Sequence, residues 1–207
     1  MRQTPARDDR GDQGAIPPAP VRARGDSARP GRLWRAAPVA AFVLASLAIG
    51  GLASRTAGSY PTPPFFHLFF SDTMHMKVWL ATGAVGLAVF QILTAARMFE
   101  VIHWPPGGRI WGWVHRISGY VAILLSLPVA YHCVFLLGFE TDSPRVVIHS
   151  LLGSMVYGAF LGKMVVLRSG RFPGWALPVA GAVLFAMLVG IWVTSSLYVF
   201  STTGLGL

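Results

Sequence analysis

Five long apolar runs, each bounded by charged or turn-forming residues, dominate the hydrophobic pattern of this chain. The runs cover about residues 36–54, 78–96, 117–139, 146–167 and 175–200. Each is about twenty residues long, which is the length that an α-helix needs to cross the hydrocarbon core of a bilayer. The pattern therefore predicts an all-α integral membrane protein built as a bundle of five transmembrane helices.

The first 35 residues have a different composition from the rest of the chain. They hold eight arginines and four aspartates among many prolines and glycines, with few apolar side chains. A segment that cannot bury apolar surface does not recover the entropy lost on folding. Residues 1–35 are therefore predicted to be a disordered basic tail.

The overall composition agrees with a membrane protein, since 54% of the residues are hydrophobic and only 12% are charged. The net charge of +9 is interpreted as an orientation signal and a contact with anionic membrane lipid, and not as a nucleic-acid surface. The single cysteine, Cys133, excludes an intramolecular disulfide and a cysteine zinc cluster. No phosphate-binding glycine loop and no Ser-His-Asp arrangement is recognisable.

The distribution of basic residues predicts the orientation of the spans. With the amino terminus in the cytoplasm, 14 of the 17 basic residues lie on the inner side. The positive-inside rule therefore predicts a multi-pass protein of the cell membrane with a cytoplasmic amino terminus and an outward carboxyl terminus. A signal peptide remains an alternative for the first span, because the small residues before Arg55 resemble a cleavage site.

With this topology, the histidines within the spans sort by leaflet. His75, His132 and His149 fall at the outer leaflet on three different spans, and His115 falls at the inner leaflet. An ionisable side chain at membrane depth is costly and usually serves a ligand, a proton path or a partner. A single interfacial histidine would most simply be a structural residue bonded to a backbone carbonyl. Three on one leaflet predict a cofactor or metal site.

Haem b suits such a set best, because two neutral imidazoles from different helices can take its axial positions. The spacing leaves open which two of His75, His132 and His149 would bind it. Small residues are expected either to border the haem or to pack helices closely; they are Gly83, Gly86, Gly153, Gly158 and Gly162. One haem is favoured over two. With a single haem, His115 is expected to bind a quinone carbonyl, to hydrogen-bond a loop or to accept a proton.

The motif HRISGY, a second histidine on the same span, and HSLLGSMVYGAF opening the next span resemble b561-type cytochromes. The resemblance covers about residues 70–200 and extends more loosely to ferric-reductase-like transmembrane domains. It implies an outer haem between His75 and His149, with His115 at an inner site. The fifth span opens RFPGWALP without a histidine, so an inner haem would lack its second ligand. The resemblance implies electron transfer from a membrane donor such as quinol to an outer-face redox protein.

Two other functions stay open. Met74, His75 and Met76, with Cys133 beside His132, supply the ligand types of a copper site. The glycine-rich helices also suit a non-catalytic anchor or assembly subunit of a larger complex. Enzymatic activity is undecided, because no dinucleotide-binding domain follows the spans and a reductase would need another subunit.

Overall fold

The fold is described from a computed structural model for residues 32–56, 65–106 and 108–204. Its helices are α1 (Arg32–Thr56), α2 (Thr73–Met98), α3 (Ile110–Tyr131), α4 (Pro144–Ser169), α5 (Ala176–Trp192) and α6 (Tyr198–Thr203). A π-helical segment, His132–Leu137, continues α3, and a second, Val193–Leu197, joins α5 to α6. Five continuous helices result, each long and apolar enough to cross a membrane. The predicted all-α, five-helix membrane fold is confirmed.

α2 and α4 begin before their apolar runs because capping side chains set where these two helices start. The Asp72 side chain caps α2 by accepting the backbone N–H of His75, and the Ser143 side chain caps α4. Such side chains satisfy amide groups that a helix terminus leaves without partners. α1 begins at Arg32, so residues 32–35 of the predicted tail belong to its first turn. Residues 1–31 lie outside the described residues.

The helices pack as a ring. α1 packs on α4, α4 on α5, α5 on α2 and α2 on α3, while the π-helical segment after α3 returns to α1. A hydrogen bond of 2.9 Å between Ser126 Oγ and Tyr157 Oη links α3 to α4 across the ring. The starts of α2 and α4 lie at one end, which the predicted topology assigns to the outer leaflet. It is called the predicted outer end below.

The closest helix contact is between α1 and α4, where two glycines face the α1 backbone. A Cβ atom at Gly158 would lie 2.5 Å from the carbonyl oxygen of Phe42, and one at Gly162 would lie 3.0 Å from that of Pro38. These glycines therefore permit close packing of α1 on α4. Gly86 and Gly153 have no atom within 4 Å of such a Cβ position.

Candidate functional site

His149 lies near the start of α4 and faces the π-helical segment between α5 and α6. Its Nδ1 atom is 3.2 Å from Oγ1 of Thr194. The Thr194 hydroxyl donates its hydrogen to the carbonyl of Gly190, at 2.8 Å, or of Ile191, at 3.0 Å. The oxygen is therefore left to accept a hydrogen bond from Nδ1–H. This network makes Nε2 the acceptor nitrogen of a neutral His149 imidazole.

Two basic side chains lie at the same end of the bundle as His149. Arg145 Nη1 donates to the Thr194 carbonyl oxygen at 2.6 Å, and its guanidinium lies 3.9 Å from the centre of the Tyr198 ring. Lys77 lies in the second turn of α2. Among the described residues, neither cation has a carboxylate partner, because the only ion pair there joins His75 and Asp72. Lys77, Arg145, His149 and Thr194 are called the outer polar cluster.

His75 belongs to the first turn of α2 and is held by its cap. Its Nδ1 atom lies 2.5 Å from Oδ2 of Asp72, and its backbone N–H donates to Oδ1 at 2.9 Å. That N–H, and then the imidazole, hold the pKa of the Asp72 carboxyl below its ordinary value of 3.8.

His132 begins the π-helical segment after α3 and is fully buried. Its Nδ1–H donates to the Pro128 carbonyl oxygen at 2.8 Å, and its Nε2 accepts the Phe66 backbone N–H at 3.4 Å. The Phe66 ring packs edge-on with a centroid distance of 4.5 Å. Both ring nitrogens are therefore used inside the chain. His132 ties the outer loop to the end of α3, the ordinary structural role of an interfacial histidine.

His115 lies in the other half of the bundle, within a second group of polar side chains. Its Nδ1 is 2.8 Å from Oγ1 of Thr94, and Gln91 Nε2 donates to its carbonyl oxygen at 2.5 Å and to Ser118 Oγ at 2.6 Å. Gln91, Thr94, His115 and Ser118 are called the inner polar cluster.

The partners that orient these imidazoles were not predicted from the sequence. Thr194 and Thr94 each accept from Nδ1 of a histidine, and Gln91 joins α2 to α3. Their only signal in the sequence is that they are polar residues inside apolar spans. The helix pairing that gives each of them its histidine is a tertiary feature.

The described residues contain no group of three or more His, Cys, Asp or Glu side chains placed to hold a metal ion. Met76 is fully buried whereas Met74 is 52% exposed, so the two thioethers flanking His75 face different environments. The copper alternative and a site built from all three outer histidines gain no support from this arrangement.

An apolar cavity of about 470 Å³ lies at the predicted outer end between α2, α3 and the preceding loop. It is lined by Phe66, Leu68, Phe69, Leu80, Leu124, Leu125, Leu127, Pro128 and Tyr131. None of the four candidate histidines contributes to its wall. The cavity therefore neighbours the structural His132 and is separate from both polar clusters.

Comparison with known proteins gives one match. No curated protein and no solved structure matches the chain. The model of a family described as a family of unknown function, DUF6529, matches residues 35–207. The match includes nearly all of α1, the other helices and both polar clusters. The chain therefore belongs to the DUF6529 family.

Proposed function

We propose that this protein is a membrane-embedded, b-type cytochrome-like electron-transfer protein with a haem site at its predicted outer end. The observation that carries the proposal is the orientation of His149, whose Nδ1 is held by Thr194. A histidine that binds a metal usually bonds its second ring nitrogen to a protein group, which fixes the tautomer and the ring direction. His149 has this arrangement inside an apolar bundle.

The side chains of the outer polar cluster would supply one axial ligand for haem b and cationic partners for its propionates. His149 would bind the iron through Nε2, and the cations Lys77 and Arg145, which have no carboxylate partner among the described residues, would pair with the propionate carboxylates. His132 is unsuited to the second axial position because both its nitrogens are engaged. His75 is the remaining outer candidate, and His149 is the one ligand that the proposal fixes.

Bound haem would supply a one-electron carrier in an apolar environment. The residues of the chain would orient the imidazole, balance the propionate charge and exclude water. The resemblance to b561-type cytochromes supports a membrane donor such as quinol and an outer-face redox protein as acceptor. The excess of basic residues on the predicted inner segments supports a cell-membrane location with a cytoplasmic amino terminus and an outward carboxyl terminus.

The proposal is tested by the absorption spectrum of the full-length protein, purified in detergent from cells supplied with haem precursor. We expect a Soret band that shifts on reduction with dithionite, and about one haem per chain. His103→Ala, which alters an exposed loop histidine, is the matched control and should keep the spectrum. A colourless preparation would contradict the proposal and favour the anchor or assembly alternative, and a colourless preparation with stoichiometric copper would favour the copper site.

A further inference from the structure

The contact between α1 and α4 brings the start of α1 level with the end of α4. The two glycine contacts pair Gly158 with Phe42 and Gly162 with Pro38. The helices therefore run antiparallel, and four residues back along α1 match four residues forward along α4. One further step of four residues along each helix places the first turn of α1 beside the last turn of α4.

A cation–π contact joins the two helices at this level. Gly170 ends α4 in the left-handed conformation, with a φ of 58°, and the guanidinium of the next residue, Arg171, lies 4.6 Å from the centre of the Trp34 ring on α1. The ring face attracts the cation, but the contact does not use the N–H groups as hydrogen-bond donors. No hydrogen bond or ion pair within the described ranges uses them either, so Arg171 is held at the ring with its donors available.

Two more arginines lie near the ends of the same helices. Arg35 is three residues from the start of α1, and Arg168 is the next-to-last residue of α4. α4 has 26 residues, about 39 Å against a hydrocarbon core of about 30 Å, so its last turn projects into the interfacial region. The side chains of Arg35, Arg168 and Arg171 are all exposed. They therefore lie at the depth of lipid phosphates.

The positive charge of these three arginines is not balanced by the described part of the chain. The acids of the described ranges lie at the predicted outer end or in the loop after α2; they are Asp72, Glu100, Glu140 and Asp142. The only ion pair within those ranges joins His75 and Asp72. An anion from outside the chain would meet three cations and no competing carboxylate there.

An exposed apolar track leads from Arg35 into the membrane along α1. Val39, Val43 and Leu47 follow Arg35 at steps of four residues, and such positions are neighbours on a helix surface. Their exposed fractions are 62%, 41% and 68%. A cation at interfacial depth followed by exposed apolar side chains matches the order of groups in a phospholipid, whose phosphate is interfacial and whose acyl chains enter the core.

We propose that Arg35, Arg168 and Arg171 form a binding site for the headgroup of an anionic phospholipid. The phosphate accepts hydrogen bonds from the guanidinium groups, and one acyl chain lies along the apolar track. Trp34 is a positioning residue, since it holds Arg171. The site is at the opposite end of the bundle from the outer polar cluster and does not require haem.

The apolar track favours a lipid over a soluble phosphate as the occupant. Both anions would pair with the arginines, but only a lipid gains from an apolar surface directly below them. The interfacial depth of the arginines also places them where the phosphates of the surrounding bilayer already lie, so binding a lipid brings no charge out of water that was not interfacial before.

The experiment measures lipid binding to the full-length, delipidated protein in detergent by native mass spectrometry. The probes are dioleoyl-phosphatidylglycerol, which is anionic, and dioleoyl-phosphatidylcholine, which has the same acyl chains and no net charge. We expect tighter binding of phosphatidylglycerol. Arg171→Gln and Arg35→Gln should each raise its dissociation constant about fivefold and leave phosphatidylcholine unchanged, whereas Arg171→Lys, which keeps the charge, should retain most of the affinity.

Arg116→Gln is the matched control. It removes another exposed arginine at the predicted inner end, whose guanidinium lies 5.8 Å from the Trp113 ring on α3, and it should bind phosphatidylglycerol as wild type does. Equal losses in Arg116→Gln and Arg171→Gln would replace the site by a general attraction to the basic end of the bundle.

The remaining outcomes also decide the inference. Equal affinity for the two lipids would overturn it, and displacement of phosphatidylglycerol by inorganic phosphate would show a site for a soluble anion. Thermal unfolding in lipid-free detergent shows whether each variant is folded; Arg35→Gln carries the test if Arg171→Gln is not, because Arg35 has no hydrogen bond or ion pair within the described ranges. The measurement is the same for colourless and haem-containing protein, so a failure of the cytochrome proposal does not affect it.

Discussion

The imidazoles of His149 and His132 lie at the same end of the bundle but use their ring nitrogens differently. The Thr194 hydroxyl occupies one nitrogen of His149, whereas backbone groups of Pro128 and Phe66 occupy both nitrogens of His132. The two histidines have similar predicted depths, but their neighbours make His149 a candidate ligand and His132 a structural residue.

His149→Ala should therefore lose haem or convert it to a high-spin form, because removal of an axial imidazole opens a coordination position.

His132→Ala should keep the haem but lower the thermal midpoint, because it leaves the Phe66 N–H without its partner. His115→Ala should leave the spectrum of the outer haem nearly intact. Absorption spectra and haem content check all three, and an unchanged low-spin spectrum in His149→Ala would remove His149 from the site.

The second axial ligand is a separate prediction. If wild-type haem is low-spin, the second position falls to His75, since His132 is engaged on both nitrogens. His75→Ala should then be as damaging to the low-spin spectrum as His149→Ala, with His67→Ala in the neighbouring loop as the control. A low-spin spectrum that survives His75→Ala and fails in His132→Ala would show that His132 leaves its hydrogen bonds to bind haem.

The cap of α2 gives a prediction about pH. The pKa of Asp72 is lowered in the fold, so its charged form stabilises the start of α2 at pH values above the ordinary value of 3.8, and this contribution is lost as pH falls through the lower folded pKa. The protection of the His75 amide, measured as its exchange rate relative to the intrinsic rate at the same pH, should fall in that acidic range. Asp72→Ala should give low protection at every pH, whereas Asp142→Ala, which alters a different exposed loop acid, should change nothing at His75.

At the scale of the helices, glycines decide how α1 meets α4. The carbonyl oxygens of Phe42 and Pro38 on α1 lie where side chains of residues 158 and 162 would be. Because those atoms belong to the backbone, they cannot move aside as the end of a flexible side chain can. Gly158 and Gly162 therefore allow close helix packing, which is one of the two roles expected for the small residues.

Gly158→Ala should consequently separate α1 from α4 and destabilise the protein by about 1–3 kcal/mol, the usual cost of overpacking. Gly153→Ala on the same helix meets nothing within 4 Å and should be neutral or stabilising by up to about 1 kcal/mol through helix propensity. Thermal unfolding in detergent compares the two. Equal midpoints for both variants would contradict the close α1–α4 contact.

The described residues form a ring of five long apolar helices with a polar cluster near each end. Ser126 and Tyr157 bond across it between α3 and α4, and Trp192 Nε1 donates to Oγ1 of Thr82 between α5 and α2 at 2.9 Å. These few polar links lie in a mainly apolar bundle, where each unpaired polar group would be costly. Five crossings predict that the two termini lie on opposite sides of the membrane.

A reporter fused to the carboxyl terminus tests this topology. Alkaline phosphatase at that position should be active, because the fifth span is predicted to end outside the cytoplasm. A fluorescent protein that folds only in the cytoplasm should be dark at the carboxyl terminus and bright at the amino terminus. The reverse pattern would overturn the predicted orientation, and equal behaviour at both ends would overturn the odd number of spans.

The class of fold could be predicted from the sequence alone, because a bilayer imposes a length and an apolar composition on every segment that crosses it. Five such runs with charges between them are sufficient to predict five helices, and the excess of basic residues predicts an orientation. The helix ends were less predictable, since α2 and α4 begin at the caps Asp72 and Ser143 in the interfacial region. The candidate histidines could also be identified from the sequence, because ionisable residues are rare at membrane depth.

The contacts of each histidine depend on how the helices pack together. Helix periodicity does not tell that the loop before α2 folds over His132, or that Thr194 comes to His149 from a span 45 residues away. It also does not reveal that Thr94 of α2 meets His115 of α3, or that Gln91 joins the same two helices. Rotation and pairing of helices set these contacts, and both depend on close packing such as that of Gly158 against Phe42.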